Sequence, residues 1–96
     1  MRLLIVDDDR YATDSLTRSL VGSGYKVNVI NRSVEIFEDI KRIDEYDCVI
    51  LDLMMRRPID LALLPDEETG EGLYRLIKSH DKDKKIVIVT GKDLPD

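Results

Sequence analysis

The chain is 96 residues long, 43% hydrophobic and 36% charged, with a formal net charge of −5 and a pI near 4.8. That length is one domain's worth, and the balance of apolar to charged residues excludes a disordered tail. The acidic surplus argues against direct nucleic-acid binding and against attraction to a membrane surface, and no apolar run approaches the ~20 residues of a membrane-spanning helix.

The opening run Leu3-Leu4-Ile5-Val6 is continuously apolar, as in a strand covered on both faces, and it ends in Asp7-Asp8-Asp9. Because a strand-like run starts at once, no signal peptide is expected. Asp9 is placed to cap a helix over residues 10–21, with Ala12, Leu16 and Leu20 as its inner stripe and Gly22 and Gly24 at its end. Residues 26–30 alternate apolar and polar, with Val27 and Val29 on one face, which predicts a half-exposed strand. Ser33 is a good N-cap for a helix carrying Ile36, Phe37, Ile40 and Ile43 on one side.

The run Cys48-Val49-Ile50-Leu51 predicts a third strand, with Asp52 directly after it. Cys48 is the single cysteine and sits in that apolar run, so a buried thiol and a reducing cytoplasm are expected. A long stretch, residues 53–69, contains Pro58 and Pro65, and Met54 and Met55 within it read as packing residues. Gly70-Glu71-Gly72 opens a helix bearing Leu73, Leu76 and Ile77; two such glycines suit helix entry better than a phosphate loop. His80 lies in a polar segment and reads as a solvated surface residue. Ile86-Val87-Ile88-Val89 predicts a fourth strand ending at Thr90-Gly91.

The order βαβαβαβ predicts an α/β domain over residues 1–96: an open parallel sheet, doubly wound and flavodoxin-like, with strand order 2-1-3-4. The crevice of such a sheet opens at the carboxyl ends of strands 1 and 3, where the order reverses. Adjacent strands lie ~4.8 Å apart, so Asp7, Asp8 and Asp52 converge despite their separation in sequence. Carboxylates gathered there repel one another unless a cation holds them. An all-oxygen set without histidine or thiolate suits Mg²⁺ and not zinc. Asp52 beside such an ion is a candidate nucleophile toward phosphorus. Thr90, on the same rim, is placed to donate its hydroxyl to a phosphoryl oxygen, though a β-branched strand terminus reads the same way. Acidic residues at strand ends also occur as plain solvated caps, and Asp9 reads as a helix cap and not as a ligand.

Three stretches together resemble the receiver domain of two-component response regulators. They are Leu3-Leu4-Ile5-Val6-Asp7-Asp8-Asp9, Val49-Ile50-Leu51-Asp52-Leu53-Met54-Met55 and Ile86-Val87-Ile88-Val89-Thr90-Gly91. The resemblance implies that Asp52 accepts a phosphoryl group from the phosphohistidine of a sensor histidine kinase or phosphotransfer protein. It implies that Asp7 and Asp8, with Asp52, hold Mg²⁺, and that the backbone carbonyl of Met54 completes the metal shell. It makes Thr90 the switch hydroxyl that moves onto the phosphoryl group, with output delivered through a partner protein.

Two departures from the family pattern stand out. The family has five βα units, whereas this chain stops after the fourth strand, so the family's phosphoryl-pairing lysine and aromatic switch residue are absent. Lys92, in the loop after Thr90, reads more readily as a loop residue than as a replacement for that lysine. The stretch after Asp52 is also longer than usual. Met54-Met55-Arg56-Arg57-Pro58 and Thr69-Gly70 stand in place of the family's Met-Pro…Asp-Gly, and residues 59–64 are apolar enough to form a lid or short helix. The apolar fourth strand then presents an open edge. Either the chain is a piece of a longer receiver, or this edge pairs with a second copy. Two other classes compete. One is a non-switching pseudo-receiver that acts as an interaction module. The other is a phosphohydrolase of the haloacid dehalogenase kind, which needs Asp-x-Asp-x-Thr where this chain places Tyr11.

Overall fold

Apolar runs and amphipathic stretches alternate along the chain, and the computed structural model, which describes residues 1–32, 34–52 and 69–89, turns them into a βαβαβαβ fold. Arg2–Val6 forms β1, Arg10–Gly22 forms α1, Lys26–Ile30 forms β2 and Val34–Glu38 forms α2. A 3-10 helix, η1, spans Ile40–Glu45; Cys48–Asp52 is β3, Thr69–His80 is α3 and Lys85–Val89 is β4. Every strand pairing is parallel and the order is β2-β1-β3-β4, as the sequence predicts. β1 and β3, which carry the apolar runs Leu3-Leu4-Ile5-Val6 and Cys48-Val49-Ile50-Leu51, take the central places, where both faces are covered.

Side chains alternate across each strand, so each central strand feeds both faces. Leu4, Val6, Val49 and Leu51 pack with Ile36, Ile43, Leu73 and Ile77 from α2, η1 and α3, and this is the main core. Full burial of side chains of this size contributes roughly 1.5–3 kcal/mol each. On the opposite face, Ile5 and Ile50 look toward Leu16 of α1.

α1 is fixed at both ends by its own sequence. The Asp9 carboxylate accepts from the Tyr11 amide at 3.0 Å, as an N-cap does. At the other end, the Tyr25 amide donates to the Leu20 carbonyl (3.2 Å) and the Gly24 amide to Val21 (3.0 Å), the paired bonds of a Schellman motif. Gly24 occupies the left-handed position of that motif with φ of 97°, a conformation glycine adopts without strain.

Several expectations change. The single helix expected to carry Ile36, Phe37, Ile40 and Ile43 is two pieces, because Asp39 takes non-helical backbone (φ −145°, ψ 83°) between α2 and η1. Asp52 is the last residue of β3 and not the residue after it. On α1 the most buried described side chain is Thr13, 2% exposed, while Leu16 and Leu20 are half-buried. As the sequence predicts, the apolar run of β4 is the sheet's edge among the described residues, with Val87 47% and Ile88 44% exposed. His80 is exposed but not merely solvated, since its Nε2 lies 2.7 Å from the Asp44 carboxylate of η1.

Other expectations lie outside the described residues. These concern the Ser33 cap, the side chain of Ala12, Met54, Met55, Pro58, Pro65, the lid at 59–64, Thr90, Gly91 and Lys92.

Candidate metal centre

The register of the sheet decides where the acidic residues meet. Val6 of β1 pairs with Leu51 of β3, and Asp7 and Asp52 each follow by one residue. They therefore stand level on adjacent strands, and the period of two turns both to the α1 side. Both line a cavity of about 490 Å³ between α1 and the sheet, together with Ile5, Leu16, Ile50 and Val89. Asp8 comes next along the chain. One carboxylate oxygen from each of Asp7, Asp8 and Asp52 lies within 4.8 Å of the other two. Asp7 and Asp8 are half-buried, while Asp52 is only 4% exposed.

The acidic triplet divides into two roles. Asp9 is spent on α1, accepting the Tyr11 amide with its side chain and the Thr13 amide with its carbonyl. Asp7 turns the chain: its carboxylate accepts the Asp9 amide at 2.9 Å, and its own amide donates to the Ile30 carbonyl at 3.2 Å. Asp7 and Asp8 also bring a carboxylate oxygen each to the neighbourhood of Asp52. A residue the sequence reading passed over also appears here. Asn31, just past β2, donates its side-chain amide to the Asp7 carbonyl at 2.7 Å. An asparagine after a strand reads as an ordinary turn residue, and no local pattern announces a partner 24 positions earlier.

Three carboxylates this close repel one another, most strongly where Asp52 is shielded from water. A divalent cation would turn that repulsion into attraction. The donors fit a hard ion, being oxygen only; the described cysteine and histidine stand elsewhere. Cys48 opens β3 where Asp52 closes it, and its thiol is pushed above its ordinary value of 9.0 by burial, with the Lys85 charge opposing. His80 ends α3, beside η1. Met54 and Thr90, expected to complete the site, lie outside the described residues.

Comparison with known proteins agrees with this fold. The profile of the response regulator receiver domain matches residues 3–96. The response regulator MprA of Mycobacterium leprae is 39% identical over 93 residues, which are 97% of this chain and 36% of that protein. The chain thus spans about a third of the length of the curated relatives it matches. A CheY-like response regulator receiver domain protein from Methanospirillum hungatei superposes with a TM-score of 0.71 at 26% identity, over 94% of this chain and 63% of that one. The response regulator protein TrrA of Thermotoga maritima, solved in complex with Mg²⁺ and BeF, gives 0.71 and 26% over 97% of this chain and 76% of its own. TrrA has also been solved in complex with the histidine kinase ThkA.

Proposed function

The chain belongs to the response regulator receiver domains, the phosphoacceptor signalling domains of two-component systems, and we propose that Asp52 is its phosphoacceptor and that Asp7, Asp8 and Asp52 hold Mg²⁺. The convergence of these three carboxylates within 4.8 Å carries the reading. In the proposed transfer a carboxylate oxygen of Asp52 attacks the phosphorus of a kinase phosphohistidine. The P–O bond forms as the P–N bond breaks, leaving an acyl phosphate on Asp52 and returning the electron pair to the imidazole. Mg²⁺, when bound, would screen the repulsion between the carboxylates and the incoming phosphoryl oxygens. Asp7 and Asp8 keep the ion beside Asp52, and the low exposure of Asp52 limits access of water to its carboxylate. The Met54 carbonyl as a further ligand and the Thr90 hydroxyl as the switch belong to the same proposal, on the strength of the motif.

The proposed donor is a histidine kinase or phosphotransfer protein, in line with the kinase complex of TrrA. The place of β4 at the sheet's edge among the described residues supports the expected pairing of that strand, with following chain or with a second copy. Nothing in the comparisons favours the non-switching module. Among the described residues no helix is long and apolar enough to cross a membrane.

Incubation with a small acyl-phosphate donor and Mg²⁺, read by intact mass, tests the proposal. The wild-type chain is expected to gain the mass of one phosphoryl group, and to gain none with a chelator present. Equal gain by Asp52→Asn, or none by the wild type, would overturn it.

A further inference from the structure

The hydrogen bond from Asn31 to Asp7 lies where the β1–β2 ladder runs out. The last registered pair of the two strands is Val6 with Ile30. One further backbone rung follows, from the Asp7 amide to the Ile30 carbonyl at 3.2 Å. The next peptide of the β1 chain, between Asp7 and Asp8, is beyond the reach of β2's registered pairs. Its carbonyl instead accepts the Asn31 side-chain amide at 2.7 Å, in a part-buried setting. A side chain thus supplies the rung that the strand no longer does.

That rung acts on two carboxylates at once. A peptide unit is planar, so fixing the Asp7 carbonyl also fixes the Asp8 amide across the same plane. The directions in which the Asp7 and Asp8 side chains leave the backbone are set on either side of it. Three carboxylates within 4.8 Å push one another apart, and the segment that carries two of them lies outside the sheet. A restraint on this peptide resists that push.

We infer that Asn31 is a positioning residue: its side-chain amide, bonded to the Asp7 carbonyl, holds Asp7 and Asp8 in the arrangement that a Mg²⁺ ion shares with Asp52. The inference rests on the metal-site reading above. Asn31 acts through the backbone of its neighbours. Groups that orient ligands in this way change metal affinity by about tenfold or more when removed.

Isothermal titration of the whole chain with Mg²⁺ tests the inference, using Asn31→Ala and Asn31→Leu. The second is close to asparagine in volume and keeps the experiment decisive should the alanine variant fail to fold. Ile43→Val, in η1 and away from the site, serves as a control for general loss of stability. Each folded Asn31 variant is expected to bind Mg²⁺ about tenfold more weakly than wild type, while Ile43→Val binds as wild type does. Affinity within twofold of wild type in any folded Asn31 variant would overturn the inference alone. So would an equal loss in Ile43→Val, because the effect would then be one of stability and not of placement. A wild type that binds no Mg²⁺ would overturn the metal-site reading, and this inference with it.

Discussion

The two ends of the sheet handle charge in opposite ways. At the amino ends of β1, β3 and β4, donors meet acceptors and opposite charges meet. The Arg2 amide donates to the Asp47 carboxylate at 2.7 Å and the Asp47 amide to the Arg2 carbonyl at 2.8 Å. Lys84, only 8% exposed, donates its ammonium to the Tyr46 carbonyl at 2.6 Å, with Asp81 3.9 Å away. Lys78 in turn donates to the Lys84 carbonyl at 2.6 Å. At the carboxyl ends, three carboxylates are gathered with like charge against like. One end keeps the strands in place, and the other gathers the carboxylates proposed above to hold a cation. Binding sites commonly trade stability for function in this way.

The contrast predicts that substitutions at the two ends fail differently. The largest effect is expected from Asp52→Asn, which removes phosphoryl uptake altogether as read by intact mass. In metal-free buffer the same variant should melt no lower than wild type, and relief of repulsion could raise its stability by about 1 kcal/mol; a clear loss would show that Asp52 serves the fold. Lys84→Met should do the reverse. It leaves the Tyr46 carbonyl without its buried donor, which costs about 1–3 kcal/mol in urea denaturation, while phosphoryl uptake at saturating Mg²⁺ stays at the wild-type level.

Smaller effects sharpen the same picture. Gly24→Ala places a side chain at φ of 97°, where nothing lies within 4 Å of the added carbon, so the cost is backbone strain alone. About 1–2 kcal/mol is expected from thermal melts, without change in Mg²⁺ affinity. The smallest effect concerns Cys48. Its folded thiol titrates above its ordinary value of 9.0, so the folded state holds that proton more tightly than the unfolded chain. The stability this contributes is fully present below pH 9 and declines as pH rises above it. Alkylation of native Cys48 should accordingly be much slower than that of the urea-unfolded chain, and equal rates would contradict its burial.

The sequence revealed the parts of the structure that rest on repeated patterns. The apolar runs of β1 and β3 placed two strands, and the handedness of crossovers made them neighbours, so Asp7, Asp8 and Asp52 could be brought together before any coordinates. Asp9 and Gly24 announced the ends of α1 through their capping chemistry. What stayed hidden depends on single side chains meeting across the fold. Ile40 and Ile43 are three apart, a spacing that a 3-10 helix satisfies as well as an α-helix, so the break at Asp39 left no trace in the apolar pattern. Lys84 looks like any solvated lysine until the Tyr46 carbonyl, 38 positions away, is placed against it. His80 and Asp44, 36 apart, and Asn31 and Asp7, 24 apart, are legible only once the sheet is assembled.

The central claim is that residues from two remote stretches form one cation site. Anomalous diffraction from crystals of this chain soaked in Mn²⁺, which takes the place of Mg²⁺ and scatters anomalously, tests it most directly. A single strong peak bonded to carboxylate oxygens of Asp7, Asp8 and Asp52 is the predicted result. Well-ordered carboxylates with no peak between them, or a peak held elsewhere on the surface, would contradict it.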